Sequence, residues 1–468
     1  MVQIDTKVQN KKNSLLQSPR TYNEIVHYLD THWSTTTNLV AISQLDECFD
    51  FASKKLDIAM VSGTSGKSTT IHYTCKLFQE EGLKIGAFYS PHIFLYNERL
   101  TINNEQISNN AFTDLANKVI QTAEDKKIAA STKDILTMMA FLFFKENNVN
   151  LAIFENSGTF SIDPVLYSNV KIAAVTRLMP NTSHDDILAA FHNIMSPMTS
   201  TSYFVAADQN KQNLQIMHQL VEAQGSNWSM PIRKLAPLAY PFEQLHGRCA
   251  ALAERIAHIY SDNFLNKNKE GIISASLLNK PKGLRGRPTL EAKKALENYP
   301  SKSLEQFWST TTTTLQSRFQ LLTDKKPLVL LDNADNLDAL NNVFLGFRLL
   351  AYKQQFKGVS LILGCYEGQF EDDEFIKQIR YFIKKTSASI SFCPIKITPS
   401  ENTHQSWDAQ KIAILAKAVK IKAKAFKDFE EAFLAAKTAN DDRSNLIIIT
   451  GSQAIVSEYL HYKEETAA

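Results

Sequence analysis

Short apolar, β-branched runs alternate along this chain with stretches of helical period. The runs at 57–62 (DIAMVS), 84–89, 151–155, 172–176 and 203–207 read as strands. Between them, 69–81, 132–147 and 209–222 carry apolar residues at helical spacing. Apolar strands bounded by turns and separated by helices predict a mostly parallel sheet covered on both faces, with the site in loops at the strand C-termini. A second block repeats the pattern beyond Arg318: strands at 328–331, 359–363, 389–395 and 446–449, helices at 337–352, 371–384, 409–416 and 428–438. Between the blocks, 266–314 is polar and partly basic, with a five-threonine run, and reads as a connector holding helical pieces at 290–297 and 304–307. The expected architecture is α/β. A phosphate-loop type, mostly parallel N-terminal and central domain (1–309, connector at its end) precedes a smaller Rossmann-like C-terminal α/β domain (310–468).

Length supports two domains, since 468 residues exceed what one core usually serves. Hydrophobic residues at 44% and charged residues at 21% are globular proportions. The 51 Lys+Arg against 48 Asp+Glu leave +3, which gives no support to a polybasic nucleic-acid binder. Cys48, Cys75, Cys249, Cys365 and Cys393 are far apart, without CxxC spacing, and read as reduced, buried thiols of a cytoplasmic protein. The first twenty residues lack a signal-peptide apolar core, and the longest greasy stretch, 135–144, reads as a buried helix. No nucleic acid or membrane partner is expected, and the chain is expected to be monomeric.

The most informative segment follows the first strand: Gly63-Thr64-Ser65-Gly66-Lys67-Ser68-Thr69, then a helix. Glycines let the backbone turn so that its N–H groups face an anion, and the helix adds its positive end. Lys67 can bridge β- and γ-phosphates, and the Ser68 hydroxyl can ligate Mg²⁺. The first glycine of the eight-residue motif is absent, with Val61 in its place. The run 417–427 holds five lysines and reads as the solvated face of an amphipathic element. The acids 371–374 read as a helix start.

GTSGKST, then Ser90-Pro91-His92, then Glu98-Arg99-Leu100-Thr101-Ile102-Asn103 running to Ile107-Ser108, resembles the folylpolyglutamate synthase/dihydrofolate synthase family of the Mur ligase superfamily. That family's pattern is approximately GTNGKGS, TSPH and ERxxINGxxIS. Thr21–Leu29 resembles its N-terminal helix, Leu151–Glu155 its strand ending in a metal-binding glutamate, and Asp163 its aspartate after a Gly-rich loop. Ser317–Gln320 resembles PGRFQ, Leu331–Asn336 LDGAHN, and Thr450–Ser452 the closing TGS. The resemblance implies an ATP- and Mg²⁺-dependent ligase that phosphorylates a folate-type carboxylate and joins the acyl phosphate to L-glutamate. It implies Lys67 and Glu155 as catalytic residues, and residues 63–69 with Arg318 and Asp332 as the ATP site. It implies Ser68, Ser90, Glu155 and His184 as metal ligands.

The chain departs from that pattern in four places. The Gly-rich segment after the glutamate is Asn156-Ser157-Gly158-Thr159-Phe160-Ser161, and no lysine stands between Lys171 and Lys211, where many members carry a modified one. The adenine-side asparagine of HQxxN falls on Gly247 or Ala250, and the histidine of DGAHN is Asp335. An acid beside phosphates is unfavourable unless it binds metal or faces away. Two readings follow: an active amide-forming ligase, or a nucleotide-binding Mur ligase-like protein with lost or altered catalysis.

Overall fold

A computed structural model describes residues 18–34, 38–156, 162–178, 184–265, 277–278, 303–313, 315–396, 405–439 and 444–466. The first lobe runs α1 (Tyr22–Thr31), α2 (Val40–Cys48), β1 (Ile58–Ser62), α3 (Lys67–Glu80), β2 (Ile85–Phe88), β3 (Leu100–Ile102), β4 (Glu105–Gln106), α4 (Asn109–Lys126) and α5 (Thr132–Glu146). It continues through β5 (Leu151–Glu155), β6 (Val170–Val175), α6 (His184–Met195), β7 (Tyr203–Ala206), α7 (Lys211–Gln224), β8 (Asn227–Ser229), α8 (Phe242–Asn263) and α9 (Leu304–Thr310). Its eight strands are ordered β4-β3-β2-β5-β1-β6-β7-β8. From β2 to β8 every pairing is parallel, while β3 and β4 add an antiparallel hairpin at one edge.

Strand β1 shows why this sheet is sandwiched. All five of its residues are buried, and alternate ones enter different cores. Ile58 and Met60 join the layer of α1, α2, α4 and α5, whereas Ala59 and Val61 join the layer of α3, α8 and α9. A half-exposed strand would instead need polar residues on one face. Two of these helices start on capping boxes: Thr21 with Glu24 at α1, and Ser131 with Asp134 at α5. The greasy stretch at 135–144 is indeed inside α5 and almost wholly buried.

The second lobe comprises β9 (Gln320–Leu322), β10 (Leu328–Leu331), α10 (Leu337–Lys353), β11 (Gly358–Leu363), α11 (Asp372–Thr386), β12 (Ser389–Phe392), α12 (Ala409–Ala418), β13 (Ala423–Ala425), α13 (Phe429–Ala439), β14 (Asn445–Thr450) and α14 (Gln453–Glu465). Its six-stranded sheet, β13-β12-β11-β14-β10-β9, is parallel except for β9. Both sheets therefore meet the α/β expectation. The acids 371–374 do open a helix, α11. The lysine-rich stretch 417–427 is no single face: it spans the end of α12, a turn and β13, the sheet's outer strand. An exposed Lys424 there discourages pairing with another chain.

Two more expectations need correction. The thiols are not uniformly buried: Cys75, Cys365 and Cys393 are, but Cys48 is exposed and Cys249 half-buried. The helical piece at 304–307 extends to Thr310 because Trp308, fully buried, donates its indole N–H to Glu254 on α8 at 3.0 Å. The piece at 290–297 lies outside the described residues. No described helix is long and apolar enough to cross a membrane.

Candidate nucleotide and cation site

The site is built where β1, β5, β6 and the loop after β2 end on the same edge of the sheet. Residues 63–66 leave β1 in a turn that only glycine permits at its two ends. Gly63 has φ +126° and Gly66 φ +88°, and Gly66 is the N-cap of α3. A Cβ on Gly63 would stand 2.1 Å from Thr176 Oγ1, and one on Gly66 2.9 Å from Cys249 Sγ. The loop is tied to the end of β6: the Thr64 amide and hydroxyl both donate to the Arg177 carbonyl, at 2.9 and 2.8 Å. Gly63→Ala should therefore destabilise the fold by about 2–3 kcal/mol, since strain adds to a collision in the sheet edge. Gly225→Ala, also at positive φ but with nothing within 4 Å of the added carbon, should cost about 1 kcal/mol or less. Denaturant unfolding of the two variants checks the contrast.

Parallel pairing sets Glu155, the last residue of β5, beside Val61 and so beneath the loop. Its carboxylate accepts from Ser68 Oγ at 3.2 Å and, weakly, from the Ser90 amide at 3.5 Å, with Lys67 Nζ at 3.9 Å. Lys67 Nζ also donates to the Gly63 carbonyl at 3.0 Å. Burial raises the Glu155 carboxyl above its ordinary range, and the charges of Lys67 and Arg318 pull it back. Ser90, itself buried, accepts from Arg99 Nη1 at 3.1 Å. Arg99 is almost completely buried; its Nε donates to His92 Nδ1 at 2.8 Å, and burial keeps that imidazole neutral.

The second lobe completes the site. Arg318 lies between Ser317 (φ +58°) and Phe319 (φ +48°), conformations that cost non-glycine residues about 1–3 kcal/mol each. The turn is held by Asp332 Oδ2, which accepts from the Phe319 amide at 2.7 Å, and by the Ser317 carbonyl, which accepts from the Asn333 amide at 3.1 Å. So held, Arg318 Nη2 reaches across to donate to Ser68 Oγ at 3.0 Å, while its buried Nη1 has no partner among the described residues. Burial pushes the Asp332 carboxyl up to about 6, against the pull of Arg318. Asn336 caps α10, accepting from the Ala339 amide at 2.9 Å, and its Nδ2 donates to Ser65 Oγ at 3.2 Å. Arg177 pairs with Asp338 at 3.2 Å, and Gln453 Nε2 donates to the His92 carbonyl. Between the lobes lies a cleft of about 530 Å³, lined by the loop, Glu155, His246, Cys249, Arg318 and Asp332, within the usual range for small-molecule sites.

Every loop residue from Thr64 to Thr69 lines this cleft, as do Ser90, Glu155, Arg318 and Asp332. His184 is the first residue of α6, and its side chain lies outside the described residues, as does the segment 157–161. Asp335 is exposed, and its carboxylate accepts from Asn336 Nδ2 at 2.8 Å. Gly247 sits where α8 presses on the segment before it, and a side chain there would come within 3.1 Å of the Ala236 carbonyl. A side chain at that position would be crowded against the backbone before the helix. Sequence reasoning assigned no site role to Asn336, Arg177, Asp338, Gln453 or Arg99; Arg177 follows β6, Asn336 and Asp338 open α10, and Gln453 opens α14. A charged residue inside an apolar strand entry was the available signal for Arg99.

The cluster suits a cation held jointly with phosphates. Among the described residues no group of three or more His, Cys, Asp or Glu forms a cage of its own. One carboxylate and two hydroxyls, Glu155, Ser68 and Ser90, match a hard cation that takes its remaining oxygens from a ligand and water.

No family model matches the chain. A dihydrofolate synthase/folylpolyglutamate synthase of Bacillus subtilis is 35% identical over 107 residues, 22% of this chain and 25% of that protein. The aligned stretch thus spans about a quarter of that relative. A Mycobacterium tuberculosis folylpolyglutamate synthase complexed with ADP superimposes with a TM-score of 0.70 at 15% identity, covering 94% of this chain and 98% of that one. A bifunctional folylpolyglutamate synthase/dihydrofolate synthase with Mn, AMPPNP and L-glutamate bound does so with a TM-score of 0.68 at 18% identity, covering 95% and 98%. The chain therefore has the fold of the folylpolyglutamate and dihydrofolate synthases over nearly its whole length, and shares recognisable sequence with a member of that group over about a fifth of it.

Proposed function

We propose that this protein is an ATP-dependent amide-forming ligase that adds L-glutamate to a folate-type carboxylate through an acyl phosphate. The observation that carries the reading is the cluster beneath the loop, where Lys67, Ser68, Glu155 and Arg318 from two lobes converge on one point. A carboxylate oxygen is a poor leaving group and phosphate a good one, so the protein's work is to place the terminal phosphate against the acid and neutralise its charge. Residues 63–69 supply amide hydrogens and the α3 N-terminus, and Lys67 an ammonium held beside the loop. The orphaned Nη1 of Arg318 has donor capacity to spare for a phosphate oxygen. Ser68, Ser90 and Glu155 would hold Mg²⁺, which supplies charge neutralisation when bound; His184 is the fourth proposed ligand. Asp332 positions Arg318 by fixing its turn. Residues 1–309 would carry the phosphate loop and 310–468 the closing arginine, in a single chain that forms the whole cleft and works in the cytoplasm without nucleic acid.

Purified protein given ATP, Mg²⁺, a reduced folate and L-glutamate should release phosphate only when both organic substrates are present. Folded protein that releases none overturns the ligase. The absence of lysine between Lys171 and Lys211 favours a second reading, a nucleotide-binding protein with altered catalysis. That protein would bind AMPPNP and Mg²⁺ yet show no dependence on the organic substrates.

A further inference from the structure

The loop between β2 and β3 carries Ser90, and the second lobe takes hold of it through three neighbouring residues. Within the first lobe this loop is wrapped around one carboxylate. Glu98 accepts from the amides of Ile93, Phe94 and Leu95, at 2.7, 3.0 and 2.8 Å. With those amides engaged, the loop meets the second lobe through its side chains and one carbonyl. Ile93 packs against the core formed by β10, β14, α13 and α14. The Phe94 ring meets the His461 ring edge-on, with centroids 4.7 Å apart and planes at 74°. Gln453 Nε2 donates to the His92 carbonyl. Gln453 and His461 share one side of α14, about two turns apart.

What α14 grips is joined to the cation cluster by a short run of hydrogen bonds. The neutral His92 imidazole accepts at Nδ1 from Arg99 Nε at 2.8 Å. The same guanidinium donates through Nη1 to Ser90 Oγ at 3.1 Å. Two residues before His92, the Ser90 amide lies 3.5 Å from the Glu155 carboxylate. The guanidinium is planar and almost completely buried, so close packing passes a displacement of His92 on to Ser90 instead of absorbing it. A hydroxyl oxygen has two lone pairs. Arg99 occupies one on Ser90, and the aim of the other follows where Arg99 stands. Gln453 thus acts on Ser90 through His92 and Arg99, and Ile93 and Phe94 hold the same loop from its far side.

We propose that α14 is a clasp through which the second lobe aims Ser90 at the cation, with Gln453, Ile93, Phe94 and His461 as positioning residues. The proposal rests on the reading of Ser68, Ser90 and Glu155 as cation ligands. Cation binding and the docking of the lobes are then one linked equilibrium. A cation held by Ser90 tightens the clasp by the same factor as the clasp tightens the cation.

Calorimetry with Mn²⁺ at saturating AMPPNP reads the clasp, and AMPPNP titrated without cation reads the phosphate loop. Among the described residues, neither Ile93 nor Phe94 lines the nucleotide cleft. Ile93→Ser and Phe94→Ala should therefore leave the cation-free titration within about twofold of the wild type. Both should weaken Mn²⁺ about tenfold or more, the usual cost of losing an outer-shell partner of a metal. Phe94→Tyr, which keeps the ring, should restore the affinity. Gln453→Met, which keeps the length and removes the donor, should weaken Mn²⁺ to a similar degree. Water-proton relaxation should count an additional exchangeable water on the bound Mn²⁺ in Phe94→Ala, where solvent takes the place of the hydroxyl; a loss of stability alone does not produce that. In a Ser90→Ala background, Phe94→Ala should cost less than about twofold more, since both changes remove the same ligand. Mn²⁺ affinity indifferent to Ile93→Ser, Phe94→Ala and Gln453→Met, or a full further loss in the Ser90→Ala background, would overturn the clasp. A Ser90→Ala variant that binds Mn²⁺ as tightly as the wild type would overturn the reading of Ser90 as a ligand instead.

Discussion

Lys67→Ala is expected to lower kcat/KM for ATP about 10²–10³-fold and to weaken AMPPNP binding at least tenfold, with the melting temperature almost unchanged. The size follows from where the ammonium sits. Its Nζ is 3.0 Å from the Gly63 carbonyl and 3.9 Å from Glu155, in a largely enclosed site, so it interacts with a phosphate at low effective dielectric. Removing one such preorganised group from a transition state that gathers charge on oxygen typically costs about 3–4 kcal/mol. The fold should survive because Lys67 is the first residue of α3, and Glu155 keeps Arg318 and the Ser68 hydroxyl as partners. Lys67→Arg should rescue little, since a planar fork cannot replace a point charge whose reach is set by a loop of two glycines. Calorimetry with AMPPNP and steady-state phosphate release measure both effects. An unchanged affinity for AMPPNP would mean that the loop does not grip the terminal phosphates.

Much of the first lobe was legible because its signals are local. A fully apolar strand, two glycines that must adopt positive φ, a lysine and a hydroxyl form one continuous stretch, and the geometry they imply is the geometry found. Glu155 was legible as the end of an apolar strand, though only strand order places it beside Val61. The β3–β4 hairpin was overlooked, although Asn103-Asn104 between alternating residues is a turn signal. The long helix α8 was overlooked too, because Gly247 interrupts its pattern; that glycine exists to let the helix approach Ala236. What the sequence could not disclose is the second lobe's reach into the first. Asn336 to Ser65, Arg177 to Asp338 and Gln453 to His92 join residues far apart in the chain, and nothing periodic marks them.

Glu155→Gln should separate the cation from the fold. The amide keeps the size of the side chain, and its one carbonyl oxygen can still accept from Ser68 or from the Ser90 amide, though not from both, but it carries no charge. Divalent-cation affinity should fall by more than the roughly 10–100-fold that outer-shell partners of a metal usually cost, and phosphate release should fall with it. Stability should go the other way. The Glu155 carboxyl is raised above its unfolded value chiefly by burial, so the folded state holds that proton more tightly than the unfolded chain does. Its contribution to stability is fully present below the unfolded pKa and is lost as pH rises through the higher folded one. At neutral pH the wild type therefore bears a buried anion that the amide does not. Without added cation, Glu155→Gln should unfold at the same denaturant concentration as the wild type or a higher one at pH 7–8, and the difference should vanish toward pH 4. Adding Mn²⁺ and AMPPNP should stabilise the wild type much more than the variant, because ligand affinity for the folded state adds directly to its stability. A variant that melts early without ligand, and still gains as much from Mn²⁺ and AMPPNP as the wild type does, would make Glu155 a structural partner of Lys67 rather than the residue that holds the cation.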